Sequence, residues 1–203
     1  MAEGTRVTFT DMFRDVLLHE LGHAVAGREL GYPTDFIELG DDGYGKTTFM
    51  YLPDPVTDSH RYSVIVWAGV LADPRCDRRE YRDSWPDLAL ALTADDQEER
   101  RGSPSAPTCD IGCIASALMQ YANNPDDFRQ RVLAACDDAE TIVRNRWAEI
   151  AQLAAKIIDL RNSTSDERIR VELTDVRLAD ATALLPAGGA SHEDAARVGR
   201  EVG

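Results

Sequence analysis

Within Leu17-Leu18-His19-Glu20-Leu21-Gly22-His23-Ala24, two histidines stand four residues apart with a glutamate directly after the first. On an α-helix of 3.6 residues per turn that spacing puts both imidazoles on one face, one turn apart. Two imidazole nitrogens so placed can ligate one tetrahedral zinc ion at about 2.0–2.1 Å each. Glu20 then reaches a water on the metal rather than the metal itself. The metal acidifies the water and the carboxylate takes its proton, which is how zinc hydrolases work. Gly22 costs about 1 kcal/mol relative to alanine inside a helix, and it leaves room for another segment to come close. Zinc in this role needs a third protein ligand and an open fourth position.

The motif has to sit on a firm helix. Thr10 can cap one, Asp11 and Asp15 favour its positive start, and Gly31 with Pro33 stops it, so a helix is expected from about Asp11 to Leu30. Phe13, Val16, Leu17, Leu21, Ala24 and Val25 form its apolar stripe. Phe36 to Leu39 and Lys46 to Leu52 read as two strands around the turn residues Gly40 to Gly43. Thr57-Asp58-Ser59 offers caps for a second, buried helix through about Ala72. Asp83-Ser84 before Trp85-Pro86 starts a third, and Gly102 to Pro107 is a loop. A short helix spans Ile111 to Tyr121. Asn124-Pro125 opens a long one to about Leu160, with Phe128, Val132, Cys136, Val143, Trp147, Ile150, Ala154 and Ile157 on one face. Ile169, Val171 and Leu173 alternate like a strand, Ala181 to Leu185 fits a helical turn, and the chain from Pro186 reads as disordered. The expected fold is therefore mainly α with a small β-sheet (α+β). Residues 1–161 make one domain, and residues 162–203 form a weakly structured to disordered tail.

Bulk properties narrow the partners. A net charge of −14 is wrong for a surface that binds phosphates, so nucleic acid and anionic lipid are excluded as partners on charge. No apolar run approaches the roughly 18 residues of a membrane span. Met1 to Arg6 carries no charged-then-apolar leader, which points to the cytoplasm. There Cys76, Cys109, Cys113 and Cys136 read as reduced thiols, and the Cys109–Cys113 spacing alone is weak evidence for metal.

The third ligand is less plain. Asp77, Glu80 and Asp83 lie in a highly charged stretch that reads as a solvated face. Asp87 opens an otherwise apolar helix, where a lone acid is either a partner of the helix dipole or a ligand. His60, at a helix start, reads as solvent-facing, and His192 falls in the flexible tail.

The segment "HELGHAVAGRELG" resembles the HEAGHAxxA–LG segment of the FtsH family of AAA+ zinc proteases. In that family the motif helix precedes a small sheet, then an Ala-Gly-containing helix, then a helix carrying an aspartate ligand. Ala68 to Asp73 corresponds to its AGRAAEE-like stretch, and Ser84 to Ala91 to its ND-L-x-x-A stretch. The resemblance, which covers about Asp11 to Leu160, implies Asp87 as third ligand and Asp73 as an acidic residue behind the site. The family's ATPase module, Walker sequence and membrane anchor are absent from these residues, and Pro74 interrupts the second stretch.

The expectation that follows is a cytoplasmic zinc metalloendopeptidase. His19, His23 and Asp87 hold Zn2+, and Glu20 is the catalytic base. Its substrate is a flexible or unfolded polypeptide laid along the Lys46–Leu52 strand, with Thr47, Thr48 and Phe49 as substrate-binding residues. A separate unfoldase, or self-association through the long C-terminal helix, would complete it. The competing expectation is a catalytically silent zinc-binding interaction protein on the same scaffold. A small-molecule metal hydrolase, which would need a deep closed pocket, is a third.

Overall fold

A computed structural model describes residues 9–76, 84–87, 89, 110–163 and 167–173. It is mostly helical, with one small antiparallel sheet of three strands. The elements are α1 (Phe9–Glu29), β1 (Thr34–Gly40), β2 (Gly45–Phe49), α2 (Ser59–Ala72), α3 (Asp110–Met119), α4 (Pro125–Asn162) and β3 (Arg168–Glu172).

The expected apolar stripe of α1 is buried throughout. The helix begins at Phe9, so Thr10 lies inside it rather than capping it. It ends as the sequence reads, in a Schellman motif. Gly31 takes φ +89°, its N–H bonds the Arg28 carbonyl, and the Tyr32 N–H bonds the Gly27 carbonyl at 2.7 Å. β1 and β2 join through Asp41, Asp42 and Gly43, with Gly43 at φ +83°. The Gly40 N–H bonds the Tyr44 carbonyl at 2.8 Å, and the Gly43 N–H bonds the Gly40 carbonyl at 3.2 Å. This is a three-residue hairpin loop with glycine at its left-handed position. β2 stops at Phe49, short of the expected Leu52, and Met50, Tyr51 and Leu52 are exposed.

α2 carries nine buried residues from Ser63 to Ala72 and packs against α1, α3 and α4. Asp58 is its N-cap residue but makes no capping bond, because its carboxylate takes the Tyr32 hydroxyl and the Arg61 guanidinium. α4 starts as expected, with the Asn124 side chain accepting the Asp127 N–H at 2.9 Å and Pro125 in its first turn.

β3 pairs with β1, giving the order β2-β1-β3. Its inward residues Ile169 and Val171 are buried over the same core as Ile37 and Leu39. The alternation at 169–173 was legible, yet it lies beyond the expected domain boundary at 161. The folded unit therefore extends through Glu172. The third expected helix is described only at Trp85, Pro86, Asp87 and Ala89, which are helical, and the Trp85 ring lies 4.7 Å from that of Trp67. Asp77, Glu80, Asp83, Cys109, the loop at Gly102–Pro107, His192 and the expected tail after 173 lie outside the described residues.

Candidate metal centre

α1 presents His19 and His23 on the face turned toward α2 and α3. The first turn of α3 brings Asp110 to them. His19 Nε2 and His23 Nε2 are 3.0 Å apart, and Asp110 Oδ2 lies 2.8 Å from the first and 3.3 Å from the second. Two ligands of a tetrahedral ion with bonds of about 2.0–2.1 Å stand roughly 3.3–3.4 Å apart. Three donors of the right chemistry thus form a triangle close to the size one such ion requires. They are the group of histidine and carboxylate side chains among the described residues that could hold a metal.

Neighbouring atoms fix the donors. The second nitrogen of His23, Nδ1, lies 2.9 Å from the Ile65 carbonyl oxygen, to which it donates, so Nε2 is the nitrogen that faces the triangle and would ligate a metal once it gives up its proton. The ring rests on Gly69, where a Cβ would fall 2.2 Å from the His23 Cε1 atom. Gly22 lets the helices come this close, since a Cβ there would stand 2.3 Å from the Ala68 carbonyl oxygen. That is the close approach anticipated for a glycine in the middle of the motif. Asp73, at the end of α2, places a carboxylate oxygen 3.8 Å from His19 Nδ1, behind the ring, and is itself held by Arg75.

Charge in the triangle is strongly coupled. Burial opposes a charge on His23, but the hydrogen bond and field of Asp110, with help from Glu20, outweigh it and push its pKa up to about 9. Asp110 is desolvated too, yet the two histidines hold its carboxyl well below the usual range. Without a metal the site is therefore an ionised Asp110 carboxylate paired with a protonated His23, and a bound cation would take the place of that proton.

Glu20 is buried, 7% exposed, and its carboxylate meets Thr47 of β2. The Thr47 hydroxyl lies 2.7 Å from Glu20 Oε2 and 3.0 Å from the Glu20 main-chain carbonyl. His19, Glu20, His23 and Asp110 line one cleft of about 240 Å³. Gly45, Lys46, Thr47 and Phe49 form its strand side, and Leu52, Tyr62, Ile65 and Val66 its apolar wall.

Asp87 is not brought to the histidines. Its exposed carboxylate pairs with Arg129 of α4. The residue placed beside the histidines is Asp110, one position before the expected helix start at Ile111. The signal was present, because Asp110 opens an apolar helix just as Asp87 does. His60 pairs with Asp138 on the exposed surface, away from this cleft. Of the three residues expected to bind substrate, Thr47 and Phe49 line the cleft. The Thr48 hydroxyl is buried without a hydrogen-bond partner among the described residues.

Comparison with family models, with curated proteins and with solved structures found no match to this chain. No helix among the described residues is long and apolar enough to cross a membrane.

Proposed function

We propose that this chain is a zinc-dependent endopeptidase of the HExxH type, related in scaffold to the FtsH peptidases, with His19, His23 and Asp110 as metal ligands. One observation carries the reading: a two-histidine, one-carboxylate triangle of ligand size shares a cleft with a buried glutamate beside the first histidine. When bound, the ion supplies a Lewis acid for the scissile carbonyl and makes water acidic enough to deprotonate near neutrality. Glu20 takes the proton from the attacking water and returns it to the leaving amine.

β2 is an edge strand among the described residues, so an extended peptide can add to the sheet there. The Gly40–Tyr44 bond sets the hydrogen-bonding phase of the β1–β2 ladder, and the Asp41 N–H bond to the Glu167 carbonyl on the other side of β1 agrees with it. Residues 38 and 46, and 36 and 48, exchange main-chain bonds, while those of Gly45 and Thr47 point outward to the free edge. An extended backbone is what such an edge accepts, which favours flexible or unfolded polypeptide segments as substrates, delivered by a separate unfoldase where the substrate is folded. The reading places the protein in the cytoplasm.

The test is Glu20→Gln. It should abolish cleavage of a disordered polypeptide while the purified protein keeps its zinc. Undiminished cleavage would remove Glu20 from the mechanism. Stoichiometric zinc in a wild-type protein that cleaves nothing would favour the silent interaction protein.

A further inference from the structure

The β2 strand lies along α1 with its Gly45, Thr47 and Phe49 side inward. A Cβ at Gly45 would meet Val16 and Glu20, the Thr47 hydroxyl bonds Glu20, and the Phe49 ring covers Gly27. Positions 16, 20 and 27 fall on one side of a helix, so strand and helix are registered against each other along this line. Thr47 sits at its centre. We infer that Thr47 is a positioning residue for Glu20, tying the orientation of the base to the strand edge that receives the peptide. The inference rests on the peptidase reading for its catalytic consequence, but the contact itself does not.

The chemistry is specific. A threonine hydroxyl has one hydrogen, and the 2.7 Å separation from Oε2 against 3.0 Å from the main-chain carbonyl favours donation to the carboxylate, a charge-assisted bond. With Oε2 so occupied, Oε1 is the oxygen left to accept a proton from water. The same residue directs its main-chain N–H and C=O to the free edge of the sheet. A peptide hydrogen-bonded to Thr47 therefore presses on the strand segment that holds Glu20. Thr47 supplies no proton to the reaction and is not one of the proposed ligands. Its role is to fix the carboxylate's rotamer within the cleft, where a misaligned base loses much of its effect.

Two variants and two readouts test this. Thr47→Val keeps the β-branched shape and removes the hydroxyl, and Thr47→Ser keeps the hydroxyl. With a disordered peptide as substrate, Thr47→Val should lower kcat by about tenfold or more with KM changed less than about twofold, and Thr47→Ser should recover most of it. Independently of activity, the carboxyl carbon-13 resonance of Glu20, assigned by its disappearance in Glu20→Gln, should move in Thr47→Val and return in Thr47→Ser. An unmoved resonance in folded Thr47→Val overturns the inference, as does an unchanged kcat. If the wild-type protein cleaves no peptide, the peptidase reading fails while the resonance still decides whether Thr47 holds Glu20.

Discussion

His23 is gripped on three sides: the Ile65 carbonyl accepts a hydrogen bond from one ring nitrogen, Asp110 faces the other, and Gly69 lies against the ring. The last contact makes a sharp prediction. In Gly69→Ala the new methyl cannot coexist with the ring as placed, so His23 must swing and its Nε2 leave the triangle. Zinc affinity should fall by roughly 10–100-fold, the scale for lost support of a ligand. Alanine favours the helix itself, so the far-ultraviolet circular dichroism should be preserved. A chelator competition titration measures the affinity, and an unchanged value would show that Gly69 does not seat the ring. At this scale the sequence spoke clearly where the chemistry is local. His19, Glu20 and His23 belong to one helix, so their relative placement follows from its period. Asp110 could not be chosen over Asp87 for the opposite reason. Two aspartates open apolar helices, at 87 and 110, and nothing in either helix says which one meets α1.

Elements were legible where short-range chemistry defines them. The Schellman end of α1, the glycine at the hairpin and the Asn124 cap of α4 each depend on residues within one turn. The start of α4 also carries a pH signature. The Asn123 main-chain N–H, at 2.8 Å, and the Arg131 guanidinium, at 3.0 Å, hold the Asp127 carboxyl below its ordinary value of 3.8. A depressed folded pKa stabilises the protein at pH above the unfolded value and loses that contribution as the pH falls through the folded one. Wild type should therefore exceed Asp127→Ala in urea midpoint at pH 7, and the gap should close below about pH 4. A gap that stays constant down to pH 3 would show that Asp127 contributes through something other than its charge. The bond between Thr47 and Glu20 joins a strand to a helix, and the hydrophobic pattern of neither element reports it. The sequence marked β2 as a substrate strand but assigned its threonines only to the peptide.

Over the whole molecule, the fold class could be read from periodicity, but the convergence of elements could not. The mostly helical body with a small sheet follows from the apolar stripes of α1 and α4 and the alternation in β1, β2 and β3. That β3 returns from beyond the long helix to flank β1, extending the folded unit past 161, is a fact of topology. So is the meeting of α1, α2 and α3 around the triangle, with α2 supplying the carbonyl of Ile65, the bed at Gly69 and Asp73 behind His19. The central claim is that this convergence, and not the helical turn bearing Asp87, completes a metal site. The most direct measurement is the zinc content of purified wild type, Asp110→Ala and Asp87→Ala. The geometry predicts bound zinc in wild type and in Asp87→Ala, and its loss in Asp110→Ala. Zinc retained in Asp110→Ala but lost in Asp87→Ala would contradict it.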